Sequence, residues 1–198
     1  MIFKYNIQNL KGNILFSSDL HCHHVNVIEY DKRPFLTEQG EPDVELMNNE
    51  LIERWNSVVT NDDIVFYLGD LGMCNQEKLK SFANKLNGEI HFILGNHDNI
   101  EHIKNTKRFK TINYYAEVWI KDEKENHHVI MSHYPIYSWN RKHRNSKMLH
   151  GHCHHSLDET DFHKQNRILD VGCNGHNYFP ISFGEVLELI NAKNIKYV

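Results

Sequence analysis

The sequence predicts an α/β fold, with α+β character in its second half, in a single domain that spans residues 1–198. In the first half, short apolar runs alternate with segments of helical periodicity, and a short polar motif follows each apolar run. The second half carries several short strand-like segments before a final helix. Because sites in open α/β sheets lie beyond the carboxyl ends of the strands, the polar motifs indicate where the functional site should be.

The first half is predicted to alternate between strands and helices. Apolar residues recur at helical spacing in two segments, which predicts amphipathic helices, and the second of these stops at Asn87-Gly88. Near-continuous apolar runs predict strands that are covered on both faces. The predicted elements are strands at 14–16, 64–68 and 90–94 and helices at 44–59 and 75–87.

The second half is predicted to be richer in β-structure. Two segments flank the charged turn 122–126 and favour a hairpin, and Ser182 with Glu185 forms a capping box that opens the last helix. The predicted strands are 116–121, 129–132, 147–150 and 167–171.

The composition narrows the functional classes. A net charge of −4 argues against broad electrostatic binding to nucleic acid. Neither a signal peptide nor an apolar stretch of about 20 residues is present, so we expect a cytoplasmic protein without membrane contact. The four cysteines are expected to be reduced in that compartment. Histidine is unusually frequent, with 16 in 198 residues.

Five polar motifs occur in order along the chain, and together they supply carboxylates, one amide and several imidazoles. Oxygen and nitrogen donors of this kind suit a pair of divalent metal ions. The motifs are Asp19-Leu20-His21, Gly69-Asp70, Gly95-Asn96-His97-Asp98, Ser132-His133 and Gly151-His152-Cys153-His154.

The spacing within the motifs suggests how the ligands are shared. Asp19 with His21, and His152 with His154, lie two residues apart, so on a strand each pair would point to one face. Asp70 follows a glycine that permits close backbone approach, and its carboxylate can bridge two ions.

The donor chemistry favours Mn²⁺, with Fe, Zn²⁺ and Ni²⁺ as alternatives, over Ca²⁺ or Mg²⁺. Asn96 would add a neutral oxygen ligand to an ion held by Asp70, His133 and His152. Two such ions about 3.5–4 Å apart would activate a bridging hydroxide for attack on phosphorus.

The motif order resembles that of the calcineurin-like metallophosphoesterase superfamily. The matching motifs extend from Asp19 to His154, about two-thirds of the chain, without a substitution. Within the superfamily, the chain is similar to small predicted phosphoesterases of bacteria and phages. The further stretches that carry this resemblance are residues 18–24, 33–35, 55–56, 132–135 and 169–172.

The resemblance implies a four-layer αββα sandwich with a dinuclear metal site at the edge between the two sheets. It also implies that His97 stabilises the transition state or protonates the leaving oxygen, with Asp98 orienting its imidazole. It assigns Asp19, His21, Asp70 and His154 to one ion and Asp70, Asn96, His133 and His152 to the other.

Three residues around the motifs are candidates for substrate binding. His24 could reach a phosphate oxygen, or it could be a surface or capping residue. Arg33 could bind a phosphate bidentately, or it could be a solvated loop residue. Arg141 opens a basic run, 141–144, that could attract an anionic substrate, although such runs are usually solvated faces. Alternation directs Cys22 and Cys153 away from the flanking ligands, which favours a packing role.

The predicted function is metal-dependent hydrolysis of a phosphodiester or phosphomonoester. The compact form favours a small or accessible substrate, such as a nucleotide or cyclic nucleotide. Two alternatives remain open from the sequence: a non-catalytic interaction scaffold of the same fold, and a nuclease that processes nucleic-acid ends. The sequence leaves the oligomeric state undetermined.

Overall fold

The computed structural model describes residues 1–196 and has a mixed α/β fold with two five-stranded sheets. The strands are β1 (Ile2–Asn6), β2 (Ile14–Ser17), β3 (Ile64–Tyr67), β4 (Glu89–Ile93), β5 (Thr111–Asn113), β6 (Tyr115–Lys121), β7 (Asn126–Ser132), β8 (Lys147–His150), β9 (Ile168–Asp170) and β10 (Ile181–Ser182). The helices are α1 (Asn26–Tyr30), α2 (Val44–Val58), α3 (Gln76–Ala83), α4 (Ile100–Thr106), α5 (Asp161–Gln165) and α6 (Phe183–Asn191).

Both sheets are mostly parallel. The first has the order β10-β2-β3-β4-β5, in which only the edge strand β10 is antiparallel to its neighbour. The second has the order β1-β6-β7-β8-β9, in which β6 and β7 form an antiparallel hairpin. Because β2, β3 and β4 run parallel, their carboxyl ends lie along one edge of the first sheet.

The two sheets pack against each other through their inner faces. Alternate residues of each strand point to opposite faces, so Phe66 of β3 faces the second sheet while Val65 and Tyr67 face the helices. Helices α2, α3 and α4 cover the outer face of the first sheet, where Trp55 is fully buried. Burial on both faces explains why β3 is apolar at every position.

The outer face of the second sheet has a different cover. Trp139 packs there against Ile130, Met148 and Ile168, and its indole Nε1 donates a hydrogen bond to Ser146 Oγ at 3.0 Å. The segment between β7 and β8 therefore takes the place that longer helices have on the first sheet. Helix α6 contacts β10, β2 and β9, and so closes one edge between the sheets.

The structure confirms the predicted elements with small changes at their ends. The hairpin and the capping box of Ser182 with Glu185 are both present. The helix predicted over 75–87 ends at Ala83, because the chain continues as a turn that still buries Leu86. The sequence analysis did not predict β1, β5, β10, α1, α4 or α5.

None of the helices within residues 1–196 combines the length and the apolar character that crossing a membrane requires.

Candidate metal centre

The five polar motifs meet where the carboxyl ends of strands from the two sheets come together. Asp19, Asp70 and Asn96 follow β2, β3 and β4 of the first sheet, and His133 and His152 follow β7 and β8 of the second. A backbone hydrogen bond from the Gly151 N–H to the His133 oxygen, at 3.0 Å, joins the two loops of the second sheet. The centre thus forms between the sheets.

The first cluster of possible ligands consists of Asp19, His21 and His154. Their donor atoms all lie within 4.8 Å of one another. Asp19 Oδ1 is 3.6 Å from His154 Nε2 and 3.9 Å from His21 Nε2. The two imidazole Nε2 atoms are themselves 3.2 Å apart. Three donors therefore converge on one point.

The second cluster consists of Asp70, His133 and His152, again with donor atoms within 4.8 Å. His133 Nε2 lies 3.4 Å from Asp70 Oδ2 and 2.9 Å from Asn96 Oδ1, so the Asn96 amide belongs to this group. Asp70 Oδ2 is also 3.8 Å from His21 Nε2 of the first cluster. Asp70 is thus within reach of both clusters, in the position of a bridging ligand.

Backbone conformation, rather than strand alternation, brings these side chains together. We expected Asp19 and His21 to share the face of a strand, but β2 ends at Ser17. The ligand residues instead adopt left-handed conformations, which non-glycine residues seldom do and which cluster at functional sites. The positive φ angles are 58° at Asp19, 50° at His21, 57° at Asp70, 69° at His152 and 45° at His154.

Glycine at position 95 is needed for close packing of two loops. A Cβ atom there would overlap the Asp70 carboxylate. The Asp70 carboxylate can therefore lie directly against the backbone of the loop that carries Asn96.

The histidine tautomers suit metal binding. His133 Nδ1 is 2.7 Å from the Leu68 carbonyl oxygen and must donate its proton there, which leaves a lone pair on Nε2. His154 Nδ1 is likewise 2.6 Å from Asp31 Oδ2, so Nε2 of His154 is free for an ion. In the neutral form of both residues the unprotonated nitrogen is the one that faces the cluster. Burial lowers the pKa of each imidazole, but Asp70 beside His133 and Asp31 beside His154 outweigh burial and raise it, so an ion at Nε2 would compete with a proton there.

The electrostatics of the first cluster also favour a cation. Burial raises the pKa of the Asp19 carboxyl to about 7, and burial lowers the pKa of His21 to about 3. The charges of His133 and His154 oppose the shift of Asp19 without cancelling it, so the buried carboxylate beside the neutral His21 imidazole is only partly compensated. The donor set of these residues therefore fits divalent ions.

Asp31 is a residue of this site that the sequence analysis missed. Burial alone would raise its pKa, but hydrogen bonds from His154 and Asn174 outweigh burial and lower the pKa to about 2. Asp31 is therefore a carboxylate that orients the imidazole of a candidate metal ligand, His154. It follows α1, a helix too short to be recognised from periodicity, so no motif in the sequence marked it.

Replacing Asp31 by alanine is expected to weaken the binding of Mn²⁺ about 10–100-fold, the usual loss when such an outer partner is removed. Titration calorimetry at constant pH measures the affinity. The control is Glu29→Ala, an exposed carboxylate on the adjacent helix, which should leave the affinity unchanged. Equal affinities in the wild type and Asp31→Ala would show that His154 needs no such partner.

His97 and His24 lie beside the clusters. His97 is exposed, its ring centroid is 5.5 Å from that of His21, and its backbone N–H donates to Asp70 Oδ1 at 2.9 Å. The ring of His24 is 5.8 Å from that of His21. Both side chains are placed where a substrate at the centre could meet them, so their predicted roles stay predictions.

The predicted role of Asp98 is wrong. Its carboxylate accepts hydrogen bonds from the backbone N–H groups of Asp70 at 2.8 Å, Leu71 at 3.0 Å and Gly95 at 2.8 Å. Asp98 therefore joins two ligand-bearing loops instead of orienting the His97 imidazole. Burial raises the pKa of this carboxyl, and the three N–H donors oppose that shift.

The structure also corrects the predictions for Arg33 and Arg141. The Arg33 side chain is fully buried, and its guanidinium donates to the carbonyl oxygens of Leu20 at 2.8 Å and Asp19 at 2.9 Å, so it cannot bind a phosphate. Arg141 lies over the ring of Trp119, in the middle of β6. Four residues of strand, roughly 13 Å, separate that point from the end of β6 beside His133.

Comparison with known proteins places the chain in a family. No family model matches it. It is 34% identical over 186 residues to the uncharacterized protein MJ1445 of Methanocaldococcus jannaschii. The alignment covers 92% of this chain and 93% of MJ1445. The chain therefore belongs to the same family as MJ1445.

More distant relatives come from bacteriophages. The Gene 66 proteins of Mycobacterium phages L5 and D29 are each 26% identical to this chain. Each alignment covers 91% of this chain, and the two cover 95% of the L5 protein and 96% of the D29 protein.

A solved structure shares the fold. The protein of unknown function AQ665 from Aquifex aeolicus superposes with a TM-score of 0.67, covering 89% of this chain and 98% of its own, at 20% sequence identity.

Proposed function

We propose that this protein is a calcineurin-like metallophosphoesterase that hydrolyses a phosphodiester or phosphomonoester with two divalent metal ions. The observation that carries the proposal is the pair of adjacent clusters, Asp19/His21/His154 and Asp70/His133/His152, with Asp70 within reach of both. Two ions held by these residues would supply Lewis-acid activation of a water and would neutralise the oxygens of a phosphoryl group. We propose Mn²⁺ as the ion, with Fe, Zn²⁺ and Ni²⁺ as alternatives.

The arrangement of layers agrees with this proposal. Two packed sheets with helices on the outer face of one, and a site at the edge where the sheets meet, support the proposal of an αββα sandwich of the kind that superfamily has. The cover of the second sheet by a loop around Trp139 and by the short α5 would be a reduced fourth layer.

The chain's own residues have separate tasks in this proposal. Asp98, which joins the two ligand loops, keeps Asp70 and Asn96 in place. His97 meets the substrate from the exposed side and transfers a proton to the leaving oxygen or stabilises charge on the phosphoryl group. His24 has the position of a second contact to a phosphate oxygen.

An aromatic side chain at the entrance suggests how a small substrate is held. Tyr134 is 49% exposed, and its ring centroid is 4.6 Å from that of His152. A flat group attached to the phosphate, such as a nucleobase, could stack there. This placement supports the proposal of a small nucleotide or cyclic nucleotide as the substrate.

Turnover of simple esters tests the proposed activity. Purified protein loaded with Mn²⁺ is expected to hydrolyse bis-p-nitrophenyl phosphate or p-nitrophenyl phosphate, and chelation with EDTA should abolish the release of p-nitrophenol. Fe²⁺, Zn²⁺ and Ni²⁺ are tested in parallel. Binding of ions without turnover of either ester under any of these conditions would instead favour the interaction scaffold.

Replacing His97 by alanine is expected to lower kcat about 100-fold, the lower range for loss of a general acid or base. Binding of Mn²⁺ should change little, because the metal centre contacts the backbone N–H of His97 rather than its ring. His143→Ala, at an exposed histidine outside the centre, is the matched control for the assay. An unchanged kcat in His97→Ala would remove His97 from the mechanism.

A further inference from the structure

A cluster of sulfur and nitrogen donors lies next to the candidate metal centre in the sequence, just after His21 and Asp70. Cys22, His23 and Cys74 each offer one donor atom, and these atoms lie within 4.8 Å of one another. None of the three residues belongs to the clusters of the metal centre. Two sulfurs and one imidazole nitrogen form a softer donor set than the carboxylates and imidazoles of that centre.

The backbone holds Cys22 and the segment before Cys74 side by side. Cys22 forms a parallel bridge with Gly72, its N–H donates to the Leu71 oxygen at 2.8 Å, and its oxygen accepts from the Met73 N–H at 3.2 Å. A Cβ at Gly72 would overlap the Cys22 sulfur. This glycine, two residues before Cys74 in the chain, therefore makes room for the sulfur of Cys22.

The third donor is held by a buried side chain. His23 has a left-handed backbone with φ of 61°, and its N–H donates to Asn48 Oδ1 at 2.9 Å. The Asn48 amide Nδ2 lies 3.0 Å from His23 Nδ1, so it donates there and Nδ1 carries a lone pair. The imidazole is thus held in its neutral form, the form that binds metals, and an ion at Nδ1 would replace the Asn48 hydrogen bond.

A packing role accounts for only part of this cluster. Cys22 is fully buried and could serve as a small apolar residue, but Cys74 and His23 are partly exposed. A disulfide between the two cysteines would not explain why His23 is held beside them by Asn48. A metal ion uses all three donors.

We propose that Cys22, His23 and Cys74 form a binding site for a thiophilic divalent ion of the Zn²⁺ class. Zn²⁺ takes sulfur at about 2.3 Å and imidazole nitrogen at about 2.0 Å in tetrahedral geometry, with the donors within about 4 Å of one another. Because the three donor atoms lie within 4.8 Å of one another, shifts of at most about 1 Å would bring them to that spacing. The partial exposure of Cys74 and His23 leaves the fourth position to water.

An ion there would connect the segment after His21 to the segment after Asp70. Each segment begins directly after a candidate ligand of the metal centre, so the ion would stabilise the loops that carry His21 and Asp70. The site shares no ligand with that centre and does not depend on the proposed activity. The protein would then hold ions of two chemical types.

Cobalt spectroscopy tests this proposal, because thiolate ligation to Co²⁺ produces an intense near-ultraviolet charge-transfer band that oxygen and nitrogen ligands do not. Reduced, full-length protein titrated with Co²⁺ is expected to show the band, and Zn²⁺ should displace it. The band should persist in His133→Ala, which damages only the other centre. It should be lost in Cys74→Ser, whose partly exposed position favours correct folding, as circular dichroism will verify.

Cys153→Ser is the matched control, because Cys153 is the partly exposed cysteine beside the metal ligands. The proposal requires the band to remain in that variant. Absence of the band in reduced wild type, or its survival in Cys74→Ser, would overturn the proposal. If the isolated protein contained a Cys22–Cys74 disulfide and showed no Co²⁺ band after reduction, the metal site would be rejected and a redox role for the two cysteines would be favoured. Ester hydrolysis is measured separately, so failure here leaves the phosphoesterase proposal untouched.

Discussion

Asp70→Asn is expected to abolish hydrolysis and to weaken metal binding more than any other single change in the centre. The wild-type carboxylate has Oδ2 3.4 Å from His133 Nε2 and 3.8 Å from His21 Nε2, so both clusters lose a charged ligand together. An amide keeps the volume but removes the negative charge and one acceptor oxygen. We expect affinity for Mn²⁺ to fall by more than the roughly 100-fold that loss of an outer partner can cause.

Calorimetric titration with Mn²⁺ and the rate of p-nitrophenol release measure the two effects. Asp62→Asn is the matched control, because Asp62 is exposed in the turn before β3 and should retain both properties. If Asp70→Asn bound two Mn²⁺ ions with wild-type affinity, Asp70 could not be the bridging ligand. If binding were lost but turnover persisted, hydrolysis would not depend on this centre.

The second large effect is expected from Arg33→Met, which should lower the free energy of unfolding by about 3–5 kcal/mol. The guanidinium is fully buried and donates to the carbonyl oxygens of Asp19 and Leu20, with Asp31 Oδ2 3.4 Å away. Methionine fills part of the volume but donates no hydrogen bond. Two buried carbonyl oxygens then lose the guanidinium donor, and the Asp31 carboxylate keeps only its hydrogen bonds from His154 and Asn174.

Urea unfolding in the presence of a chelator measures this effect without a contribution from bound metal. Arg141→Met is the control, because that guanidinium is exposed over Trp119 and its removal should cost less than about 1 kcal/mol. A loss below 1 kcal/mol in Arg33→Met as well would mean that water or a backbone shift replaces the lost donors.

Much of the fold could be predicted because the relevant signals are local. The apolar run of β3 and the helical spacing in α2 each follow from burial against neighbouring layers. The strands β1 and β5 lie at sheet edges and mix polar with apolar residues, so their sequences show no clear period. The structure of α4 depends on its cap, since Asn99 accepts from two backbone N–H groups of a seven-residue helix.

The candidate ligands could be predicted for a different reason. Residue types and motif order suffice to find Asp19 or His133, since few other roles require those residues together. The surrounding contacts depend on which loops meet in three dimensions. Asp98 turned out to bind backbone N–H groups, and Arg33 is buried, whereas a charged loop residue is normally expected in solvent.

The left-handed backbone at the ligands has a consequence for how this protein tolerates change. Each such residue raises the energy of the folded chain by roughly 1 kcal/mol, and five of them lie in the metal centre. Glycine adopts the same conformation without that penalty. Selection for stability alone would therefore favour the loss of ligands such as His152 and His154. In a centre that binds ions as we propose, function and stability would therefore oppose each other.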